Sequence, residues 1–564
     1  MSTGREPRDV IVPQVERTHV PRTSNVGYIL LGIIVIGYFL IRIGYRDIPL
    51  ERDEGTYVYM GWSTLNGGTP YVDFFELKPP GLYYSYAFLH AISAGDLGAM
   101  HVWMAVIISI SSILLFFFAR SWFGTGPALV ATLMFEALSM TAHASGFTIQ
   151  AEHFVILACL GALVSLDVGV RRHSAPLTLL SGALVCWCAL VKQNGVFFIG
   201  FLLLLTLLYT GPTWKERIKR SLVIAVGMAI PGISIAALMA WEGSFQQLAY
   251  WTIEASRYYI GVVPISVAME LFSRTFTQLF LENPVPWLLG GVGAVLLPFG
   301  RTARWRRWGI GLFAAFAFMA IIPGFRFFGH YFLLTFPAVA LFGAHASYVI
   351  SSRSIPFIGK ADQGLALRTL VLLSVPILAG HWNYYFRPDH VGVLRTVYRT
   401  NPFPEARYVA DMINAERQED DGVFVMGSEP QIYVYTGTRS PTRFINMGYL
   451  VHEHPMADSL RREAMSDVAK AAPKYVVWVQ HLGSWMPGPN ADQSFLERYW
   501  NTLHEEYDIV AWFEQDPPMQ VRIISGEAAK DHRPASELFM FLARRKDIRD
   551  AGATVLNGAP PERN

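Results

Sequence analysis

Between Glu51 and Lys78 the chain reads ERDEGTYVYMGWSTLNGGTPYVDFFELK, gathering carboxylates, a lysine and several tyrosines in one stretch. Asp53 and Glu54 follow Glu51 and Arg52, and Tyr57 comes four residues after Asp53, on the same helical face. Asp73, Glu76 and Lys78 close the stretch. Pro79 and Pro80 stiffen the backbone after the lysine and so fix where its ammonium points. A carboxylate can take a proton from a nucleophile, and a fixed cation can stabilise charge developing on a leaving group. The simpler alternative for Asp53 is a helix N-cap, on a short helix ended by Asn66-Gly67-Gly68. A cap needs one short polar residue, whereas this stretch supplies a polar set.

The same two chemical types recur downstream. Glu152 and His153 stand at the entrance to an apolar run, where an ionisable group is costly unless it faces a polar cavity. Glu152 could equally cap its helix as an acid at the positive end of the dipole. Lys192 lies between two apolar runs that are together too long for one crossing, and its ordinary alternative is a lysine that snorkels to the surface. Arg326 and His330 flank Phe327, Phe328 and Gly329 just before another apolar run. An arginine there is unfavourable to the helix dipole and points to an anionic partner.

The elements that must position these residues are apolar. The 564-residue chain is 52% hydrophobic and only 16% charged, with a mean hydropathy of +0.30; a soluble chain carries roughly a quarter charged residues. Apolar runs of roughly 18–22 residues, enough to cross a hydrocarbon layer, fill Asn25 to Phe386. About eleven candidate spans result, from Val26–Ile43 to Leu367–Tyr385. The first lacks the small-residue cleavage site of a signal peptide and is expected to be retained. Cys159, Cys186 and Cys188 all lie in apolar runs and read as small core residues. A net charge of +2 gives no reason to expect nucleic acid.

Basic residues orient the spans, because Lys and Arg accumulate in short cytoplasmic loops. Arg120, Arg171–Arg172, Lys215–Arg220, Arg301–Arg307 and the Ser351–Lys360 loop all fall on the side of the N-terminal tail, provided that Pro80–Ser93 does not span. A helix over that stretch would rise only about 20 Å, and its tyrosines favour the interface. Residues 44–98 then form the first extracytoplasmic loop. Residues 143–153, 191–195, 242–284, 324–331 and everything after Arg387 share its side. The expected organisation is a cytoplasmic tail over 1–25, a helical polytopic membrane module over 26–386, a soluble extracytoplasmic α/β domain over 387–545 and a disordered tail over 546–564. The α/β class is read from four short apolar runs, GVFVMG, KYVVWVQH, YDIVAWF and LFMFLAR, that alternate with charged, helix-like segments. Multi-pass insertion in a bacterial inner membrane suits the short basic loops.

Carboxylates beside cations at a membrane surface fit transfer of a sugar from a lipid-linked phosphate to a hydroxyl or amine. The phosphate leaves, cations stabilise it, and a carboxylate takes the acceptor's proton. A single base opposite the leaving group would invert the anomeric carbon. The competing class is a transporter or flippase for a lipid-linked sugar, which would place charge within the spans; here charge gathers on one face, with Glu136 the mid-span exception.

RDEGTYVYMGWSTLNGGTPYVDFFELKPPGLYY resembles the first extracytoplasmic loop of the C-type (GT-C) membrane glycosyltransferases. It is most similar to the family 39-like branch of bacterial dolichyl-phosphate-mannose-protein mannosyltransferase-like proteins, related to the lipid A aminoarabinose transferases. The matching positions are Asp53-Glu54, Tyr57, Gly67 or Gly68 before Pro70-Tyr71-x-Asp73, and Lys78-Pro79-Pro80. Phe325–Leu341 is similar to a later element of the group. The resemblance covers roughly residues 26–386. It implies interfacial helices in the first loop, a polyprenyl-phosphate sugar donor, Asp53 as catalytic base and Glu54 as its neighbour in the acidic pair. Lys78 and Lys192 correspond to positions that approach the donor phosphate, where Arg326 and His330 are further candidates. Glu152 matches a second-loop acidic position that is Asp in many members. Tyr57, Asp73, Glu76, Glu152 and His153 are candidates for other substrate contacts, the acceptor being lipid, protein or glycan. Neither a Trp-Trp-Asp motif nor a metal-binding Asp-x-Asp appears, so no metal is assumed, and no function is implied for the residues after Arg387.

Overall fold

Long apolar runs with few charges leave helix as the only secondary structure that satisfies the backbone in lipid, and the computed structural model is built accordingly. It describes residues 25–260, 263–299, 303–352, 363–487, 491–492, 494–516 and 520–546. Apart from Asn25 and Lys546, the tails expected over 1–25 and 546–564 lie outside the described residues. The chain divides into two units, Met1–Arg399 and Thr400–Asn564.

In the first unit, α1 (Asn25–Ile43) leads into two short helices, α2 (Arg52–Leu65) and α3 (Gly81–Ile92). Then come α4 (Leu97–Phe123), α5 (Thr125–Ser139), α6 (Ala151–Arg172), α7 (Ala175–Val191), α8 (Val196–Tyr209) and α9 (Trp214–Trp241). Every segment expected to span contains a helix. Among the described residues five helices are long and apolar enough to cross a membrane: α1, α4, α6, α9 and Gly329–Ser352. Thr125–Ser139, Ala175–Val191, Gln193–Tyr209 and Pro284–Val295 are apolar but shorter. At 12 residues, α3 rises only about 18 Å, short of a hydrocarbon layer about 30 Å thick.

A lone charge inside a bundle is expensive, and the mid-span acid Glu136 is not alone. Arg42, in the last turn of α1, places Nη1 2.5 Å from Glu136 Oε2 of α5 and donates from Nη2 to Ser139 Oγ at 2.8 Å. Ser112 of α4 donates to the other carboxylate oxygen at 2.5 Å. The network ties α1, α4 and α5 together.

The first unit continues past the Phe386 boundary expected from composition. In the helix His390–Tyr398, His390 Nε2 lies 2.9 Å from the Gly44 carbonyl oxygen, and the Tyr398 hydroxyl meets Ser145 Oγ at 2.7 Å. These bonds join the segment to the first loop and to the loop before α6, so the division falls after Arg399.

The second unit is the α/β element anticipated from alternating apolar runs and charged helices. Its five-stranded sheet has the order β1-β2-β5-β3-β4, with β1 Val423–Met426, β2 Tyr475–Gln480, β3 Tyr507–Asp516, β4 Gln520–Ser525 and β5 Phe539–Arg545. β1 pairs with β2 in parallel, and the remaining pairs are antiparallel. β1, β2, β3 and β5 are the four expected apolar runs. β4, an edge strand whose residues are all exposed or half-buried, was not among them.

Candidate functional site

The site begins with a cap. Glu51, the residue before α2, accepts from the Glu54 amide at 2.8 Å and the Asp53 amide at 3.0 Å. Gln150 Nε2 donates to the same carboxylate at 3.2 Å. The cap is therefore Glu51 and not Asp53, which corrects the local alternative read from the sequence. Burial, reinforced by the charges of Asp53 and Glu54, pushes the Glu51 carboxyl up to about 8 despite the two amide bonds.

That cap sets the phase of the next two acids and separates their environments. The Asp53 side chain is 42% exposed. Glu54 is fully buried; its Oε1 accepts from the Ile149 amide at 2.8 Å and lies 2.8 Å from His101 Nε2 of α4. The expected acidic pair thus divides. Asp53 is partly exposed, while Glu54 is buried and joins the first loop to the segment before α6. Tyr57 is buried one turn after Asp53, its ring 5.4 Å from that of Tyr86 in α3.

Lys78 is held by its backbone as the following prolines suggested, with added help. The hydroxyls of Tyr71 and Tyr83 donate to its carbonyl at 2.7 and 2.8 Å, and Gln193 Nε2 donates to the Leu77 carbonyl. Its ammonium meets Glu76 Oε1 at 3.2 Å, so these two candidates form a pair. Lys192 follows α7 and forms an ion pair with Glu152 at the start of α6. Its Nζ also stands 4.1 Å over the Tyr331 ring. It does not snorkel: the side chain is 6% exposed. Burial pushes the Lys192 ammonium below the usual lysine range, against the pull of Glu152.

His330 bridges the two acid positions. Its Nε2 lies 3.8 Å from Asp53 Oδ2 and 4.0 Å from Glu152 Oε1. It sits just after a contorted backbone, with positive φ at Gly324 (80°), Phe325 (53°) and Phe327 (44°). Two aromatic residues in that region represent stored strain, and Arg326 lies between them. Gly329 is required by close approach, since a Cβ there would stand 1.7 Å from the His143 carbonyl oxygen.

The structure thus joins Asp53, His330, Glu152, Lys192 and Tyr331 in one continuous array. Lys78 and Arg326 lie within electrostatic reach of the Tyr331 hydroxyl, as do Asp53 and Glu152. Two candidates are placed elsewhere. Asp73 is exposed and closes a turn by accepting from the Thr69 amide at 2.7 Å. His153 is buried, within electrostatic reach of Arg42. Glu51, Gln150, His101, Tyr71, Tyr83 and Tyr331 were not among the candidates. Of these, Tyr331 carried a local signal as the neighbour of His330, and Glu51 and Tyr71 lay within the stretch already singled out. Among the described residues no group of three His, Cys, Asp or Glu side chains is arranged to hold a metal. What the array offers is a partly exposed carboxylate that can accept a proton, next to cations and an imidazole that can stabilise an anion.

Residues 77–241 match the family model described as Dolichyl-phosphate-mannose-protein mannosyltransferase, a stretch that includes Lys78, Glu152 and Lys192. No curated protein sequence matches the chain. Among solved structures, ArnT from Cupriavidus metallidurans in the apo state superposes with a TM-score of 0.59 at 13% identity, covering 92% of this chain and 98% of that one. The same protein bound to undecaprenyl phosphate gives 0.54 at 12% identity, with the same coverage. The Archaeoglobus fulgidus oligosaccharyltransferase tethered with an acceptor peptide gives 0.50 at 12% identity, covering 89% of this chain and 74% of that one. The fold is that of the C-type membrane glycosyltransferases.

Proposed function

We propose that this chain is an integral-membrane glycosyltransferase that moves a sugar from a polyprenyl-phosphate carrier to an acceptor at the extracytoplasmic face. The observation that carries the reading is the partly exposed Asp53 carboxylate 3.8 Å from His330, in an array that continues to Glu152 and Lys192. Asp53 accepts the proton of the acceptor hydroxyl or amine as that atom bonds to the anomeric carbon. The bond from that carbon to the carrier phosphate breaks, and the phosphate departs with the electron pair. Lys78, Lys192, Arg326 and His330 supply the positive charge and hydrogen-bond donors that stabilise it. With one base on the face opposite the leaving group, the anomeric carbon inverts. The count of basic loops supports a first loop outside the cytoplasm. The undecaprenyl phosphate held by the Cupriavidus protein and the acceptor peptide of the archaeal enzyme support a lipid-linked donor and an acceptor of lipid, protein or glycan class.

A transporter of lipid-linked sugars would need charge available along the path. The carboxylate of Glu136, the mid-span exception, is closed off by Arg42 and Ser112, which favours transfer over transport.

Mass spectrometry of surface glycoconjugates with and without the gene names sugar and acceptor. With that pair in hand, Asp53→Asn is expected to fold normally and to lower transfer by about 10²–10⁴-fold, and turnover near that of the parent would end the assignment of the base. Lys78→Ala is expected to raise the KM for donor while leaving the unfolding temperature in place; unchanged donor dependence would remove Lys78 from the phosphate site.

A further inference from the structure

The unit Thr400–Asn564 holds a cleft of about 850 Å³ that the transfer reading does not use. It opens between the end of β2, the loop that follows and the helix Ser494–Glu506, and Trp478, Trp485, Trp500, Glu497, Asn501 and Glu537 line it. Its size falls within the roughly 300–1,000 Å³ of small-molecule sites, which pair apolar walls with a few polar groups.

The three indoles are not equivalent. Trp478 and Trp485 are buried, and their ring N–H groups are satisfied, by Gln480 Oε1 at 3.1 Å and the Val479 carbonyl at 2.9 Å. Trp500 is half-buried. It rests against Trp478, with centroids 4.8 Å apart at 73°, and against Phe541 at 5.7 Å and 73°. His504 packs on it as well, with centroids 4.5 Å apart at 45°, so three rings brace Trp500, which is left in part open to solvent. Glu497, Asn501 and Glu537 on the rim are exposed, and among the described residues neither glutamate forms an ion pair.

From this arrangement we infer that the unit binds a neutral carbohydrate. A sugar ring presents a patch of C–H groups on one side and hydroxyls around its edge. The C–H patch suits an indole whose other contacts are made. Vicinal hydroxyls can donate to a carboxylate, and Asn501 can both donate and accept. Two carboxylates with no ion pair among the described residues repel uronate, phosphate and other anions, which removes anionic glycans and leaves the cationic probe to separate simple charge attraction from sugar binding.

The test uses the full chain in detergent, with mannohexaose, chitohexaose and arabinohexaose as neutral probes, polygalacturonate as the anionic probe and oligolysine as the cationic one. Tryptophan fluorescence and calorimetry are read together. The expected result is saturable binding of at least one neutral probe, weakened about tenfold in Trp500→Ala, less in Trp500→Phe, and by a smaller factor in the exposed-rim variants Glu497→Gln and Asn501→Ala. Asp53→Asn should bind as the parent does, which separates this cleft from the transfer site and keeps the result independent of whether transfer is confirmed. Failure of all three neutral probes, retention of oligolysine or polygalacturonate alone, or binding unchanged in the rim variants would overturn the inference. Trp500→Ala also removes packing, so the rim variants decide if it fails to fold.

Discussion

At the residue scale, Glu51 decides what the two acids after it can do. By capping α2 it turns Asp53 outward and Glu54 inward, and it does so from a buried position. Its carboxyl stands at about 8 in the folded chain against an ordinary 4.5. The folded state therefore holds a proton that the unfolded chain has released. The stability linked to that proton is fully present below about pH 4.5 and is lost as pH rises through about 8. Thermal unfolding of the detergent-solubilised protein across that window should show the melting temperature falling toward alkaline pH. Glu51→Gln cannot ionise and should flatten the slope, with a pH-independent loss of about 0.5–1.5 kcal/mol for the weakened cap. Equal slopes in parent and variant would refute the linkage. The sequence reading made Asp53 the chemical candidate and left capping as its alternative. It could not phase three acids spaced this closely, because moving a helix start by one residue turns each side chain by about 100°.

At the scale of elements, the site depends on how closely α2 and α3 approach. A Cβ on Gly61 would stand 2.6 Å from the Tyr86 carbonyl carbon and 2.7 Å from the Ala87 nitrogen. Gly61→Ala must push the helices apart, an overpacking cost of about 1–3 kcal/mol. The shift would also travel, because the Tyr86 hydroxyl donates to the Ile149 carbonyl and the Ile149 amide donates to Glu54. Gly61→Ala should therefore lower both the unfolding temperature and turnover, while Leu65→Ala, at a side chain 49% exposed on the same helix, should change neither. Unimpaired turnover in Gly61→Ala would mean that the α2–α3 contact does not position Asp53. The helices themselves were legible, since apolar runs and the Asn66-Gly67-Gly68 stop fix them locally. The contact between Glu54 and Ile149 was not, for 95 residues separate the partners and nothing local to either marks the other. β4 escaped for a related reason: no residue of this edge strand is fully buried, so it lacks the apolar run that marks its neighbours.

At the scale of the whole molecule, the proposed chemistry requires the first loop and the basic loops to face opposite sides of the membrane. The helices agree in form, but sidedness rests on the distribution of Lys and Arg. Asn66, just beyond α2, and Lys215, at the start of α9, are both exposed and lie in loops assigned to opposite faces. Cys159 and Cys188 are buried, and Cys186 is half-buried, so a Cys186→Ala background leaves little native thiol for a polar reagent. In that background a membrane-impermeant maleimide should label Asn66→Cys on intact cells and Lys215→Cys only after lysis. The opposite pattern would put Asp53 in the cytoplasm and remove the extracytoplasmic transfer reaction. Labelling of both positions on intact cells would mean that the chain crosses an even number of times between them, either because α3 completes a span or because one of the shorter helices α5, α7 and α8 does not.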